Sequence, residues 1–202
     1  HRFRRDGEEV AVRLETEALV VGRIRDRVID LVRPGIETRL GAGRRAVLDQ
    51  VEVEVVARGE VRAGSAVAIP LQAEGVTVIA NYAGNAEKAA AFTSETGIPA
   101  LCWDVGDHQA CLDACAEIEG QFGPIDILVN NAGITRDATI MKMTFEQWDE
   151  VIRIDLTGCF NMAKACFPNM RTRSWGRIVN VGSVNGQGGQ IGQVNYAAAK
   201  SG

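Results

Sequence analysis

The 202-residue sequence predicts an α/β fold: a doubly wound parallel sheet with helices on both faces. Two observations carry this expectation. Short β-branched runs alternate with longer helical stretches from residue 64 onward, the pattern of strands joined by crossover helices. The polar and glycine-rich residues follow the strands, and an open sheet of this kind binds ligands beyond the carboxyl ends of its strands.

The elements follow in order. Residues 65–73 read as a helix, although Pro70 would cost about 3 kcal/mol in a helix interior. Residues 76–80 (Val-Thr-Val-Ile-Ala) form a β-branched strand. A helix spans 86–96 and stops at Gly97. A strand at 100–103 precedes a helix over 108–122, with Asp107 as N-cap and Gly123-Pro124 as the stop. Residues 125–129 are a strand, 144–170 one long helix and 177–181 a further strand. A last helix begins at Asn195.

Residues 1–64 do not share this pattern. They hold 13 of the 18 arginines and none of the four lysines. They also lack Ser, Asn, Cys, Met, Trp and Tyr, while Val occurs 12 times. Thirteen basic residues meet 12 acidic ones before this seam, and nine meet 14 after it. Apolar clusters occur at 10–14, 19–21 and 28–32 without a full helical period or a motif. Residues 51–56 alternate as Val-Glu-Val-Glu-Val-Val, the pattern of a half-buried strand.

Composition excludes several classes of function. The net charge of −4 and the absence of a basic tract argue against nucleic acid and membrane-surface partners. No apolar run reaches the ~18 residues of a membrane span, and the N-terminal His-Arg-Phe-Arg-Arg is no secretory signal. Five cysteines, an odd number without a Cys-x-x-Cys pair, suit a reducing, cytoplasmic setting. His1 and His108 are the only histidines, which argues against a Ser-His-Asp triad and against a multi-His metal site; no metal is expected. Cys111 and Cys115 share a helical face and read as core. Trp103, Trp148 and Trp175 are too scattered for a base-stacking surface.

The chemistry concentrates near the C-terminal end. Tyr196 and Lys200 stand at i and i+4, on one face of a helix. Ser183 ends the preceding strand, 13 residues earlier. A phenol of pKa about 10 is a poor acid near neutrality, and a nearby ammonium favours the phenolate. A serine hydroxyl can hydrogen-bond a substrate carbonyl while the tyrosine protonates the alkoxide formed as hydride arrives. The hydride requires a cofactor, since no side chain supplies one.

The order strand, Ser183, loop, Tyr196-x-x-x-Lys200, with Asn130-Asn131-Ala132-Gly133 two elements earlier, resembles the short-chain dehydrogenase/reductases. The resemblance covers 64–202 and implies a Rossmann-like doubly wound sheet. It implies that Ser183 polarises the carbonyl, that Tyr196 is the acid, and that Lys200 binds the nicotinamide ribose and lowers the tyrosine pKa. Asn131, Ala132 and Gly133 would line the cofactor channel, and Asp104 and Val105 would contact the adenine. The family's fourth catalytic residue, an Asn acting largely through its main-chain carbonyl, is here Asp155. The strand end Asn81-Tyr82-Ala83-Gly84 lacks the acid that bonds the ribose 2′-OH of NAD, which disfavours NAD and permits NADP.

Within that family, 174–196 resembles the acetoacetyl-CoA reductases of polyhydroxybutyrate synthesis, with the 3-oxoacyl-carrier-protein reductases of fatty acid synthesis as the alternative. The expected reaction is NADPH-dependent reduction of a 3-oxoacyl thioester to a (3R)-hydroxyacyl product, with Gln190, Ile191 and Gln193 flanking the acyl group. A homotetramer is implied for a full-length member.

Two departures qualify this expectation. The family's glycine loop would fall at 57–64, where Gly59 and Gly64 fit but Arg58 and Arg62 replace glycines that permit close approach to a pyrophosphate. The central strand would fall at 51–56, where burying Glu52 and Glu54 without partners is costly. Residues 1–63 therefore read as an aberrant N-terminal segment, out of frame or unrelated, and 64–202 as a partial reductase domain with a truncated C-terminus. A fragment of this kind is expected to bind NADPH poorly, and an inactive interaction module is the competing class.

Overall fold

A computed structural model describes residues 63–202 and three short strands before them, β1 (Arg4–Arg5), β2 (Glu8–Glu9) and β3 (Leu19–Val21). The alternating stretch 51–56 and the expected glycine-loop residue Gly59 lie outside the described residues. α1 (Ala63–Ala73) begins two residues earlier than its sequence pattern indicates, so Gly64 falls in its first turn. β4 (Val78–Tyr82), α2 (Ala86–Thr96), β5 (Ala100–Cys102), α3 (His108–Phe122) and β6 (Ile127–Asn130) follow. α4 (Phe145–Val151) and α5 (Gly158–Thr172) flank a π-helical turn, Ile152–Thr157. β7 (Arg177–Asn180), α6 (Val184–Gly188) and α7 (Val194–Ser201) complete the chain.

The local chemistry explains these limits. Asn85 caps α2 by accepting from the Lys88 N–H, and Gly97 ends it at φ 73°, a left-handed conformation that costs glycine little. Asp107 caps α3 by accepting from the Ala110 N–H at 3.0 Å. Thr144 and Gln147 form a reciprocal capping box at the start of α4. Pro70 sits on the exposed side of α1.

The main sheet has the order β5-β4-β3-β6-β7. β4 pairs in parallel with β5, and β6 with β7. β1 and β2 form a separate antiparallel pair. The expectation of a wholly parallel sheet needs one correction: β3, between β4 and β6, runs antiparallel to both. Its sequence, Leu-Val-Val, is uniformly apolar, as a strand covered on both faces must be. The alternating glutamates at 51–56 conflict with that requirement.

Alternation along the strands divides the core in two. Ile79 and Leu128 face one layer with Cys111, Cys115 and Ile118 of α3 and Met162 and Cys166 of α5. Val78, Ala80, Ile127 and Val129 face the other, with Ala68 of α1 and the partly buried Phe92 of α2. Helices thus cover both faces, as predicted.

The long helix expected over 144–170 is present but not regular. Its middle turn is π-helical and contains Asp155. Such single-turn widenings are frequent at functional sites. Gly158 lets the following helix press against the loop after β5: a Cβ there would lie 2.8 Å from Val105 Cγ2.

Candidate active site

The parallel register of β6 and β7 sets Asn130 beside Asn180. The Asn130 amide donates to Asn180 Oδ1 at 2.8 Å, tying the strand ends together. The segments leaving them, 131–133 and 181–183, therefore emerge side by side at the carboxyl edge of the sheet.

Ser183 caps α6, its Oγ accepting from the Asn185 N–H at 3.2 Å. That bond uses a lone pair and leaves the hydroxyl proton for a substrate. α6 packs against α7 so tightly that a Cβ on Gly186 would lie 2.9 Å from the Lys200 main chain. Ser183 is thereby held beside the helix bearing Tyr196 and Lys200.

Both α7 residues lie on one face, as their spacing predicts. Lys200 Nζ stands 5.7 Å from the centre of the Tyr196 ring. Its side chain is 7% exposed, and Nζ donates to the Val181 carbonyl at 3.4 Å. The start of α7 is anchored by Asn195, which is completely buried. Its amide donates to the Arg136 and Gln147 carbonyls, both at 3.0 Å, and its Oδ1 accepts from the Tyr196 N–H at 2.8 Å.

Asp155 reaches into the same place from the π-helical turn. Its Oδ2 lies 3.4 Å from Lys200 Nζ and its side chain is fully buried. Its Oδ1 accepts from the Ile134 N–H at 2.7 Å. Burial pushes its carboxyl above the ordinary carboxylate range, opposed by the Lys200 charge and the Ile134 hydrogen bond. The Asp155 main-chain carbonyl accepts from Cys159 Sγ at 3.2 Å. Gly133 gives the pair its room: a Cβ there would meet Asp155 Oδ2 at 2.7 Å and Lys200 Nζ at 3.0 Å. Asn131 and Ala132 lie on the same edge, with Asn131 buried.

The residues expected at the adenine end are present but internally engaged. Asn81 is buried at the end of β4, its amide donating to the Trp103 carbonyl at 2.9 Å. Asp104 accepts from the Gly106 N–H at 2.8 Å and from Arg153 Nη1 at 2.7 Å. Val105 is buried, and its carbonyl accepts from the Asn161 amide at 2.9 Å.

Gln190 and Gln193 join one polar network, since the Asn185 amide donates to both at 2.7 Å. Gln193 in turn donates to Asp137 at 2.9 Å. Ile191 projects into solvent at 94% exposure. Ile140, Met141, Phe145 and Val184 are also exposed.

Sequence reasoning missed three contributors. Asn195 carries a signal only in hindsight, as an amide beside the tyrosine. Arg153 pairs with Asp104 across 49 residues, and nothing local marks it. The π-helical turn carries no motif either.

Comparison with known proteins bears on the chain's family. The family model for short chain dehydrogenase matches residues 56–202, taking in the stretch where the glycine loop would fall. The chain is 57% identical over 150 residues to an acetoacetyl-CoA reductase of Rhizobium meliloti (strain 1021), covering 74% of this chain and 62% of that protein. An acetoacetyl-CoA reductase of Paracoccus denitrificans is 52% identical over 151 residues, covering 75% and 62%. A 3-oxoacyl-(acyl-carrier-protein) reductase of Staphylococcus aureus (strain N315) is 42% identical over 144 residues, covering 69% and 58%. The chain thus spans about three-fifths of the length of these curated relatives. With the family match covering well over half its residues, the chain belongs to the short chain dehydrogenase family.

Proposed function

We propose that the protein containing this chain is an oxidoreductase that reduces a 3-oxoacyl thioester with NADPH, acetoacetyl-CoA to 3-hydroxybutyryl-CoA in first place. The observation that carries the reading is the Lys200 ammonium, buried and 5.7 Å from the Tyr196 ring, on a helix packed against Ser183. The substrate class rests on likeness to the acetoacetyl-CoA reductases. Supply of 3-hydroxybutyryl-CoA to polyhydroxybutyrate synthesis, a cytoplasmic location and a homotetramer belong to the same proposal.

The residues present fit a nicotinamide cofactor at its reactive end. A buried ammonium and the segment Asn131-Ala132-Gly133 line one edge. The strand end Asn81-Tyr82-Ala83-Gly84 offers no carboxylate to a ribose 2′-OH, which favours NADPH over NADH. α1 runs back to β4 through a short turn, so its N-terminus, with Gly64, lies at the carboxyl edge of the sheet. A helix N-terminus there suits a pyrophosphate. NADPH, held there, would supply the hydride for the thioester's β-carbonyl carbon. Ser183 donates its hydroxyl proton in a hydrogen bond to that carbonyl oxygen. Tyr196 transfers its phenolic proton to the oxygen as the negative charge develops. Lys200 favours the phenolate left behind. Gln190, Ile191 and Gln193 border the acyl group.

The reductase portion on this reading is 64–202, but the preceding segment is not separate from it: β3 (Leu19–Val21) fills the middle of the same sheet, and α1 starts at Ala63. A second reading, reduction of an acyl-carrier-protein thioester, is favoured by the Staphylococcus aureus relative. NADPH oxidation is followed with acetoacetyl-CoA and with the carrier-protein thioester, beside Tyr196→Phe. Turnover with the CoA ester that disappears in Tyr196→Phe supports the proposal. Turnover that survives the substitution refutes the role of Tyr196.

A further inference from the structure

Lys200 in this chain does not act on Tyr196 as an isolated charge. Its Nζ has a fully buried carboxylate 3.4 Å away, and the two groups share the space left by the missing Cβ of Gly133. The Asp155 carboxylate is fixed independently of the lysine, because the Ile134 N–H holds its other oxygen at 2.7 Å. Oδ2 has no hydrogen-bond partner of its own and faces the ammonium. Tyr196 is the next group along, its ring centre 5.7 Å from the same Nζ.

We propose that Asp155 is a positioning residue for Lys200: its buried carboxylate draws the ammonium towards Gly133 and takes up part of the charge that Lys200 presents to Tyr196. This rests on the reading of Tyr196 as the proton donor and states how that donor is tuned. With Asp155 ionised, the phenol faces a partly neutralised ion pair and keeps its proton to higher pH. With Asp155 neutral, it faces a full positive charge and loses its proton more readily. The groups facing Asp155 are few. Lys200, with Tyr196 behind it, faces it from α7. The Cys159 thiol faces it from α5, and burial pushes that thiol up, so it stays neutral. From the 131–134 segment the Ile134 N–H donates to it.

The test reads the phenol directly and needs no turnover. The chain has two tyrosines, Tyr82 and Tyr196, so 13Cζ-tyrosine labelling gives two resolved titrations. In Asp155→Asn, the Tyr196 midpoint is expected to fall by about one pH unit or more, with Tyr82 unmoved as the internal control. Asp155→Glu, which restores the charge, is expected to return the midpoint towards that of the parent. A Tyr196 midpoint that stays or rises in Asp155→Asn overturns the proposal. Should that variant fail to fold, the parent chain decides the matter: acid titration is followed at the Asp155 carboxyl 13Cγ and at Lys200 15Nζ. A Lys200 resonance that shifts together with the Asp155 protonation supports the pairing, and one indifferent to it overturns the proposal. Should the full protein containing this chain show these titrations yet oxidise no NADPH, the proposed function is refuted while the pairing stands.

Discussion

Asn195 is the residue whose loss should show most clearly how α7 is anchored. It is completely buried and uses both ends of its amide: Nδ2 donates to the Arg136 and Gln147 carbonyls at 3.0 Å each, and Oδ1 accepts from the Tyr196 N–H at 2.8 Å. Asn195→Ala removes all three bonds. A net hydrogen bond contributes about 1 kcal/mol, and a buried group left without its partner costs about 1–3 kcal/mol. Other groups can partly satisfy these carbonyls, so the expected loss is roughly 2–4 kcal/mol, a large share of the about 5–15 kcal/mol that stabilises an ordinary domain. Asn195→Asp is the sharper comparison. It keeps the acceptor for Tyr196 but turns a carboxylate oxygen towards two carbonyl oxygens, so it should destabilise more than alanine despite its closer shape. Urea unfolding followed by tryptophan fluorescence measures both, with Trp148 in the adjoining α4 as a reporter. An Asn195→Ala variant within about 0.5 kcal/mol of the parent, the range of an ordinary surface change, would refute the anchoring argument. So would an aspartate variant as stable as the alanine one.

Three further outcomes follow from the same geometry. Gly133→Ala places a Cβ 2.7 Å from Asp155 Oδ2 and 3.0 Å from Lys200 Nζ, so it should displace the pair and reduce NADPH oxidation at least tenfold, about 1.4 kcal/mol of barrier; the rate measured beside a circular dichroism spectrum separates this from unfolding. Because burial raises the Asp155 carboxyl in the folded chain, its contribution to stability is complete below the unfolded value of about 4 and is lost as pH rises towards the folded value. Denaturation at several pH values should therefore show the parent losing stability relative to Asp155→Asn above about pH 4, and the opposite slope would contradict the burial argument. Among the cysteines, Cys102 is exposed, whereas burial pushes the Cys111 thiol up to about 12 and also raises Cys166, whose first cause is its hydrogen bond to Cys115. Thiol titration of the native chain near pH 8 should show Cys102 reacting first, with Cys111, Cys115 and Cys166 released only by denaturant.

Much of the site was legible in the sequence because its parts are local. The four-residue spacing of Tyr196 and Lys200 defines one helix face wherever the helix packs. Ser183 at a strand end and the Asn-Asn-Ala-Gly run after β6 carry their positions with them. What was not legible is pairing across distance. The Asp155–Lys200 contact joins residues 45 apart, and nothing in Val151-Ile-Arg-Ile-Asp155 announces that the helix widens by one residue to aim the carboxylate inward. The adenine-end expectations suffered likewise. Asp104 and Asn81 occupy the expected strand ends, but their side chains are engaged by Arg153 and by the Trp103 carbonyl, partners that only folding brings near.

The reversed middle strand bears on the site through direction rather than through contact. In its register, Leu19 lies opposite Ala80 and Val129, and Val21 opposite Val78 and Ile127. The chain therefore leaves β3 at the amino edge of β4 and β6, the edge away from Ser183 and Tyr196. A parallel strand in that place would release its following loop at the carboxyl edge, where a phosphate-binding turn belongs. The carboxyl end of β3, at Val21, thus lies at the other edge, while α1, which returns to the amino end of β4, starts at the carboxyl edge. The arrangement of Ser183, Tyr196, Lys200 and Asp155 does not depend on this reversal. It is set by the parallel pairing of β6 with β7, the π-helical turn between α4 and α5, and the anchoring of α7, none of which involves the middle strand's direction. What β3 supplies is hydrogen-bond partners for β4 and β6 from an all-apolar segment, a demand that either strand direction can meet.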